Sequence, residues 1–221
     1  VPATPAWSVG DVVAHLADAD RAALATTRGE WGLGGSLDEW TAAGVAAHRG
    51  EGPEERLEDW EAAADALRWH LAALDAEGWR ARVAWVAGTI SVRTLAALRL
   101  NDAWHHGRDM AEATGRRFEA DELTLAFLAD LAARTIPSGL TRRGRARPGA
   151  VILVRLGADQ WLLGGAAGER PDPGAAPDLV LDADPLAFVL RAAGRTRDDP
   201  WTADGDRRLL ADVAATLSSV S

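Results

Sequence analysis

The hydrophobic period of this 221-residue chain changes once, and that change limits the folds open to it. Up to about residue 135, apolar side chains recur at three- and four-residue spacing, the period of amphipathic helices. Beyond residue 150 they fall in short extended runs bounded by Gly, Pro and Asp, which read as strands. Between the two lies Ile136 to Gly149, with Pro137, Gly139, Gly144, Pro148 and Gly149 among Arg142, Arg143, Arg145 and Arg147. Such a stretch predicts an interdomain linker over 137–149. The expected fold is therefore α+β: an up-down helix bundle over 1–136, then a small α+β domain over 150–221.

Local signals place the elements. Ser8 followed by Asp11 makes a capping box for a helix from Val9 to Thr27, with Val12, Val13, Leu16 and Ala19 on its apolar face and His15 at the edge. A Gly-rich loop is expected at Gly29 to Gly35, then a short helix from Ser36 to about His48. Pro53 opens a helix to about Ala76, where Leu57, Trp60, Ala64, Leu67, Leu71 and Leu74 form a bundle seam. Trp85 and Val86 read as short extended structure. Ser91 caps a helix that stops at Gly115, and another spans Ala120 to Thr135 with Leu123, Phe127 and Leu131 on one side. In the second domain, 150–156 and 160–163 pair around Gly157-Ala158-Asp159, 178–182 is a third strand, and 185–193 and 206–218 are helices.

Composition excludes several classes of function. A net charge of −9 argues against a general nucleic-acid binder. All 24 basic residues are Arg, so Arg at any single position says little by itself. No apolar run approaches a membrane span and no signal peptide is evident, so the chain is expected to be cytoplasmic and free of membrane. With no Cys, any thiol chemistry must use a thiol brought from outside. No exposed heptad seam is evident, and a monomer is expected.

One polar constellation stands out. Asp102 and His106 are four residues apart in a helical stretch and so share one face. That face carries Leu95 and Leu98 and continues to His105, His106 and Asp109. A carboxylate and an imidazole on a core-facing stripe are costly unless paired. A divalent metal meets that cost, and His15 on another helix offers a third ligand. Two His and one carboxylate are a ligand set for zinc and similar ions that leaves positions open. The bland alternative is a surface acid beside a satisfied core histidine; the stripe position and nearby Asp109 favour the metal. His105 points about 100° away from His106 and reads as a supporting or surface residue, and His48 and His70 as structural or exposed. Asp109 is placed to hold an imidazole in its metal-binding tautomer or to pair with Arg99 or Arg108. No Ser-His-Asp elbow, dinucleotide fingerprint or phosphate loop is present.

Two segments carry a family resemblance. Residues 7–16, Trp-Ser-Val-Gly-Asp-Val-Val-Ala-His-Leu, and residues 102–115, from Asp102-Ala103-Trp104-His105-His106 to Gly115, resemble the two helical motifs of the mycothiol-dependent maleylpyruvate isomerase family, in the DinB-like superfamily. Trp161, Leu179 to Leu181, Gly194-Arg195 and Gly205-Asp206 are similar to that family's sterol-carrier-like C-terminal domain. The resemblance implies a four-helix bundle holding a divalent metal, usually zinc, on His, Glu and His; here His15, Asp102 and His106. Position 102 departs from the pattern, because Asp draws the carboxylate back toward its own helix. Family members also carry a helix before the Trp-Ser motif. The reading expects either further chain upstream of Val1 or a bundle completed differently.

The resemblance further implies mycothiol, or a similar low-molecular-weight thiol, as a second cofactor. The expected function is a metal-dependent enzyme of the maleylpyruvate isomerase type acting on a small molecule. A thiolate adds to an activated cis double bond, the resulting single bond rotates, and the thiol leaves. Arg195 would pair with a substrate carboxylate or stabilise enolate charge, and Asp109 would orient the ligands. The close rival is a mycothiol S-transferase of detoxification or secondary metabolism. A rival of another class is a non-catalytic protein that binds a small apolar molecule.

Overall fold

The computed structural model describes residues 1–30, 36–86 and 88–217, and they divide into two compact units, Val1–Phe118 and Glu119–Ser221. The architecture is α+β. The loop expected at Gly29 to Gly35 lies largely outside the described residues, as does the Ser218 end expected for the last helix.

Among the described residues, the first unit has four α-helices: α1 (Val9–Thr27), α2 (Leu37–Ala47), α3 (Pro53–Ala72) and α4 (Val92–Ala113). The caps act as their sequences predict. Ser8 accepts from the Asp11 amide while Asp11 accepts from Ser8, and Ser36 with Glu39 repeats the arrangement at α2. Gly115 takes the left-handed conformation that ends α4. Helix α1 is the hub, packing against each of the other three. Its small side chains Ala14, Ala17, Ala19, Ala22 and Ala23 are all buried, which lets the neighbours approach closely. A hairpin of β1 (Arg82–Trp85) and β2 (Gly88–Ser91) joins α3 to α4. Its Val83, Trp85 and Ile90 pack against a core of Ala23, Leu67 and Leu95. Helix α3 ends at Ala72, before the expected Ala76, and its expected seam is partial: Leu67 is buried but Leu57 is 45% exposed.

The second unit begins with α5 (Glu122–Arg142), then β3 (Val151–Leu156), β4 (Asp159–Gly164), β5 (Leu179–Ala183), α6 (Pro185–Ala192), β6 (Trp201–Gly205) and α7 (Arg207–Leu217). The strand order is β4-β3-β5-β6, with β3 and β5 parallel and the outer pairs antiparallel. Ile152, Val154 and Leu156 pair with Leu179, Leu181 and Ala183 in register, and all six are buried. This is the alternation of a sheet with one face covered. Strand β6 escapes the sequence reading because it is an edge strand with a half-buried Trp201 and four exposed residues.

Two expectations are corrected. The segment read as a linker over 137–149 is helical as far as Arg142, and beyond it Arg145 and Arg147 form ion pairs with Asp212 and Asp206. Helix α5 groups with the second unit, against α6, α7 and β4. Its buried face is Leu128, Ala129, Ala133, Ile136, Pro137 and Leu140, whereas Leu123 and Phe127 are 82% and 41% exposed.

Candidate metal centre

Helices α1 and α4 run antiparallel in contact. Ala23 meets Leu95 in one core cluster, Asp20 meets Arg99, and His15 meets Asp102 and His106. Residue numbers fall along one helix as they rise along the other. The capping box at Ser8 starts α1 so that His15 lies two turns in, on the side facing α4.

The three expected donors converge. His15 Nε2 lies 3.4 Å from Asp102 Oδ2, and His106 Nε2 lies 3.5 Å from Asp102 Oδ1. The imidazoles meet edge to face, their centroids 5.2 Å apart. One ligand atom from each residue lies within 4.8 Å of the others. Metal–ligand bonds of about 2.0–2.1 Å in a tetrahedron put neighbouring ligand atoms about 3.3–3.4 Å apart, the range in which each imidazole nitrogen meets its own Asp102 oxygen here. The set combines nitrogen and oxygen donors, and it fits zinc or a similar divalent ion.

Surrounding groups orient the donors. His106 turns its Nδ1 toward Asp109 Oδ2 at 3.5 Å, which leaves Nε2 on the Asp102 side. Asp109 is itself buried. Burial pushes the Asp102 carboxyl up, but the hydrogen bond from His15 and the charges of Arg99, His15 and His106 outweigh it. Its pKa is held well below the usual carboxylate range, so the group is an anion at neutral pH.

Trp7 and Arg99 touch the centre, and neither was assigned to it from the sequence. The indole of Trp7 covers the centre, 5.2 Å from the His15 ring and stacked at 6.3 Å on that of His106. Arg99 donates from Nη1 to Asp102 Oδ2 at 2.5 Å and from Nε to Asp20 Oδ1 at 2.9 Å. The signal for Arg99 was present: it sits one turn after Leu95 and three residues before Asp102, on the same stripe. His105 is buried, edge-on to Trp104. His48 lies apart from the centre, between Asp18 and Glu51. Arg195 lies in the second unit just after α6, where its Nη1 donates to the Ala193 carbonyl at 2.7 Å.

Residues 1–111 match the family described as the mycothiol maleylpyruvate isomerase N-terminal domain. The chain belongs to this family. The matched segment contains His15, Asp102, His106 and Asp109. Two relatives come from Mycobacterium tuberculosis: uncharacterized protein MT0041 of strain CDC 1551 / Oshkosh and uncharacterized protein Rv0036c of strain ATCC 25618 / H37Rv. Each is 28% identical over 191 residues, 80% of this chain and 71% of its own length. Crystal structures of the mycothiol-dependent maleylpyruvate isomerase, as a histidine-to-alanine mutant and without it, match with TM-scores of 0.61 and 0.60. Both are 19% identical to this chain, and the match covers 90% of it and 78% of them. At that identity the likeness is one of fold: a helical unit followed by an α+β unit. Within the matched segment, Asp102 is the carboxylate that lies between His15 and His106. No helix among the described residues is long and apolar enough to cross a membrane.

Proposed function

We propose that this protein is a metal- and thiol-dependent enzyme of the maleylpyruvate isomerase type. Zinc or a similar divalent ion would be held by His15, Asp102 and His106, and mycothiol or a similar low-molecular-weight thiol would serve as second cofactor. The observation that carries the reading is the approach of these donors, from two helices, to within 4.8 Å of one another. Bound together, metal and thiol would supply a thiolate at neutral pH for reversible addition to an activated double bond of a small acid.

The chain's own residues have definite tasks in this reading. Asp102 contributes the single negative charge of the donor set. Asp109, 3.5 Å from His106 Nδ1, would favour the proton on that nitrogen once drawn into a hydrogen bond, so that Nε2 would offer its lone pair. Trp7 covers both imidazoles and keeps bulk water off them, which strengthens electrostatics at the centre. Arg195 is proposed, on the family resemblance, to pair with substrate carboxylate.

The test has two parts. Metal analysis of untagged protein is expected to give one ion per chain in the wild type and none in Asp102→Ala. Cis-trans isomerisation of maleylpyruvate is then followed with and without added mycothiol, and turnover should need the thiol. Thiol transfer to an electrophile without isomerisation would assign an S-transferase on the same centre. A metal-free wild type would overturn the enzymatic reading in favour of a binding protein.

A further inference from the structure

Arg99 is a buried cation in contact with a donor of the centre, an unusual neighbour for a cation site. By charge alone it works against a second cation. Its other contact changes that balance. The Asp20 carboxylate on α1, also buried, accepts from Arg99 Nε, so Arg99 and Asp20 together carry no net charge. What remains is geometry. A guanidinium is planar, with its donors in a fixed relation. Anchoring Nε on α1 therefore sets where Nη1 points on α4. Nη1 holds Asp102 Oδ2, while Oδ1 of the same carboxylate faces His106 Nε2. Asp is one methylene shorter than Glu, so it needs a rigid anchor more than a longer arm would. The same contact fixes α1 against α4 in the register that brings His15 to Asp102.

We propose that Arg99, braced by Asp20, is a positioning residue that aims the Asp102 carboxylate into the metal centre. The proposal rests on the metal reading above. It differs from a plain structural ion pair in what it predicts for ligation.

The test compares metal uptake with charge held constant. Replacing Asp20→Asn together with Arg99→Met removes one charge of each sign, so a change in affinity reports aim, not Coulomb attraction. Zinc(II) is titrated by calorimetry into chelator-treated wild type, the double variant, Arg99→Lys and Asp102→Ala, and the visible spectrum of the cobalt(II) form is recorded for each. The wild type is expected to bind one ion and Asp102→Ala to lose it. The double variant should bind about 10- to 100-fold more weakly, with a cobalt spectrum shifted toward that of Asp102→Ala. Arg99→Lys should fall between, since an ammonium can reach Asp102 but lacks the rigid fork. Wild-type affinity and spectrum in both variants would overturn the proposal and leave the metal reading standing. If the double variant fails to fold, Arg99→Lys decides alone: weaker binding of tenfold or more supports the proposal, and unchanged binding overturns it. A wild type that takes up no metal overturns the metal reading and this proposal with it.

Discussion

Arg99 shows how a single residue ties stability to the candidate centre. Its side chain and that of Asp20 are both largely buried, so truncating Arg99 leaves the Asp20 carboxylate as an unpaired charge in the interior. Such a loss costs about 3–5 kcal/mol, whereas replacing both partners with uncharged groups costs far less. Arg99→Met alone is therefore expected to destabilise the fold by roughly that amount in urea melts, and adding Asp20→Asn should recover most of it. A double-mutant cycle with no coupling would contradict this account. The contrast with His15, Asp102 and His106 shows what a sequence can reveal at this scale. Asp102 and His106 are legible because one helical turn separates them on an apolar stripe, and the family motif supplies His15. The Arg99–Asp20 bond joins residues 79 positions apart and belongs to no motif, so only the packing of α1 on α4 exposes it.

At the scale of elements, the capped starts of helices were readable, and the far end of the one helix with internal breakers was not. Pro137 and Gly139 suggested a linker, yet both lie buried within α5. Pro137 forgoes the bond its amide would make to the Ala133 carbonyl, and burial of Leu128, Ala133, Ile136 and Leu140 on the same helix outweighs that loss. Gly139 is there for closeness: a Cβ at this position would overlap the Thr216 methyl of α7. Alanine would gain about 1 kcal/mol in helix propensity, but forcing a methyl into a packed interface costs about 1–3 kcal/mol. Gly139→Ala is expected to lower the melting temperature, and Thr216→Ser in that background to restore part of it.

A second element-level device joins α1 to α2. The His48 ring at the end of α2 places Nδ1 2.8 Å from Glu51 and Nε2 3.3 Å from Asp18 on α1. The Glu51 hydrogen bond raises the His48 pKa, partial burial opposes it, and the Asp18 contact adds to the rise. A folded-state pKa above the ordinary 6.5 means that the protonated imidazole stabilises the fold. That contribution is complete below about pH 6.5 and fades as the pH climbs through the raised value. The stability gap between wild type and His48→Gln should therefore be widest near pH 6 and shrink by pH 9. A gap that widens with pH would contradict the assignment.

Across the whole molecule, where one unit stops and the next begins follows from what each must bury. Phe118 packs edge-on against Trp104 and beneath Gly107, which closes the first unit. Asp121 then caps α5, whose apolar face lies against α6 and α7. The sequence reading assigned α5 to the bundle because its period is helical, and period alone cannot say which neighbour covers a helix. The two assignments make different fragments foldable. Residues 119–221 keep α5 over the buried Phe188, Val189, Leu209 and Val213, and should fold cooperatively, with a dispersed amide spectrum and a single urea transition. Residues 150–221 lose that cover and also the Arg145 and Arg147 pairs to Asp212. Stripping α5 exposes several large apolar side chains at about 1.5–3 kcal/mol each, against a total stability of about 5–15 kcal/mol for a domain. The shorter fragment should therefore be unfolded or aggregated, and a well-folded 150–221 would return α5 to the helical unit.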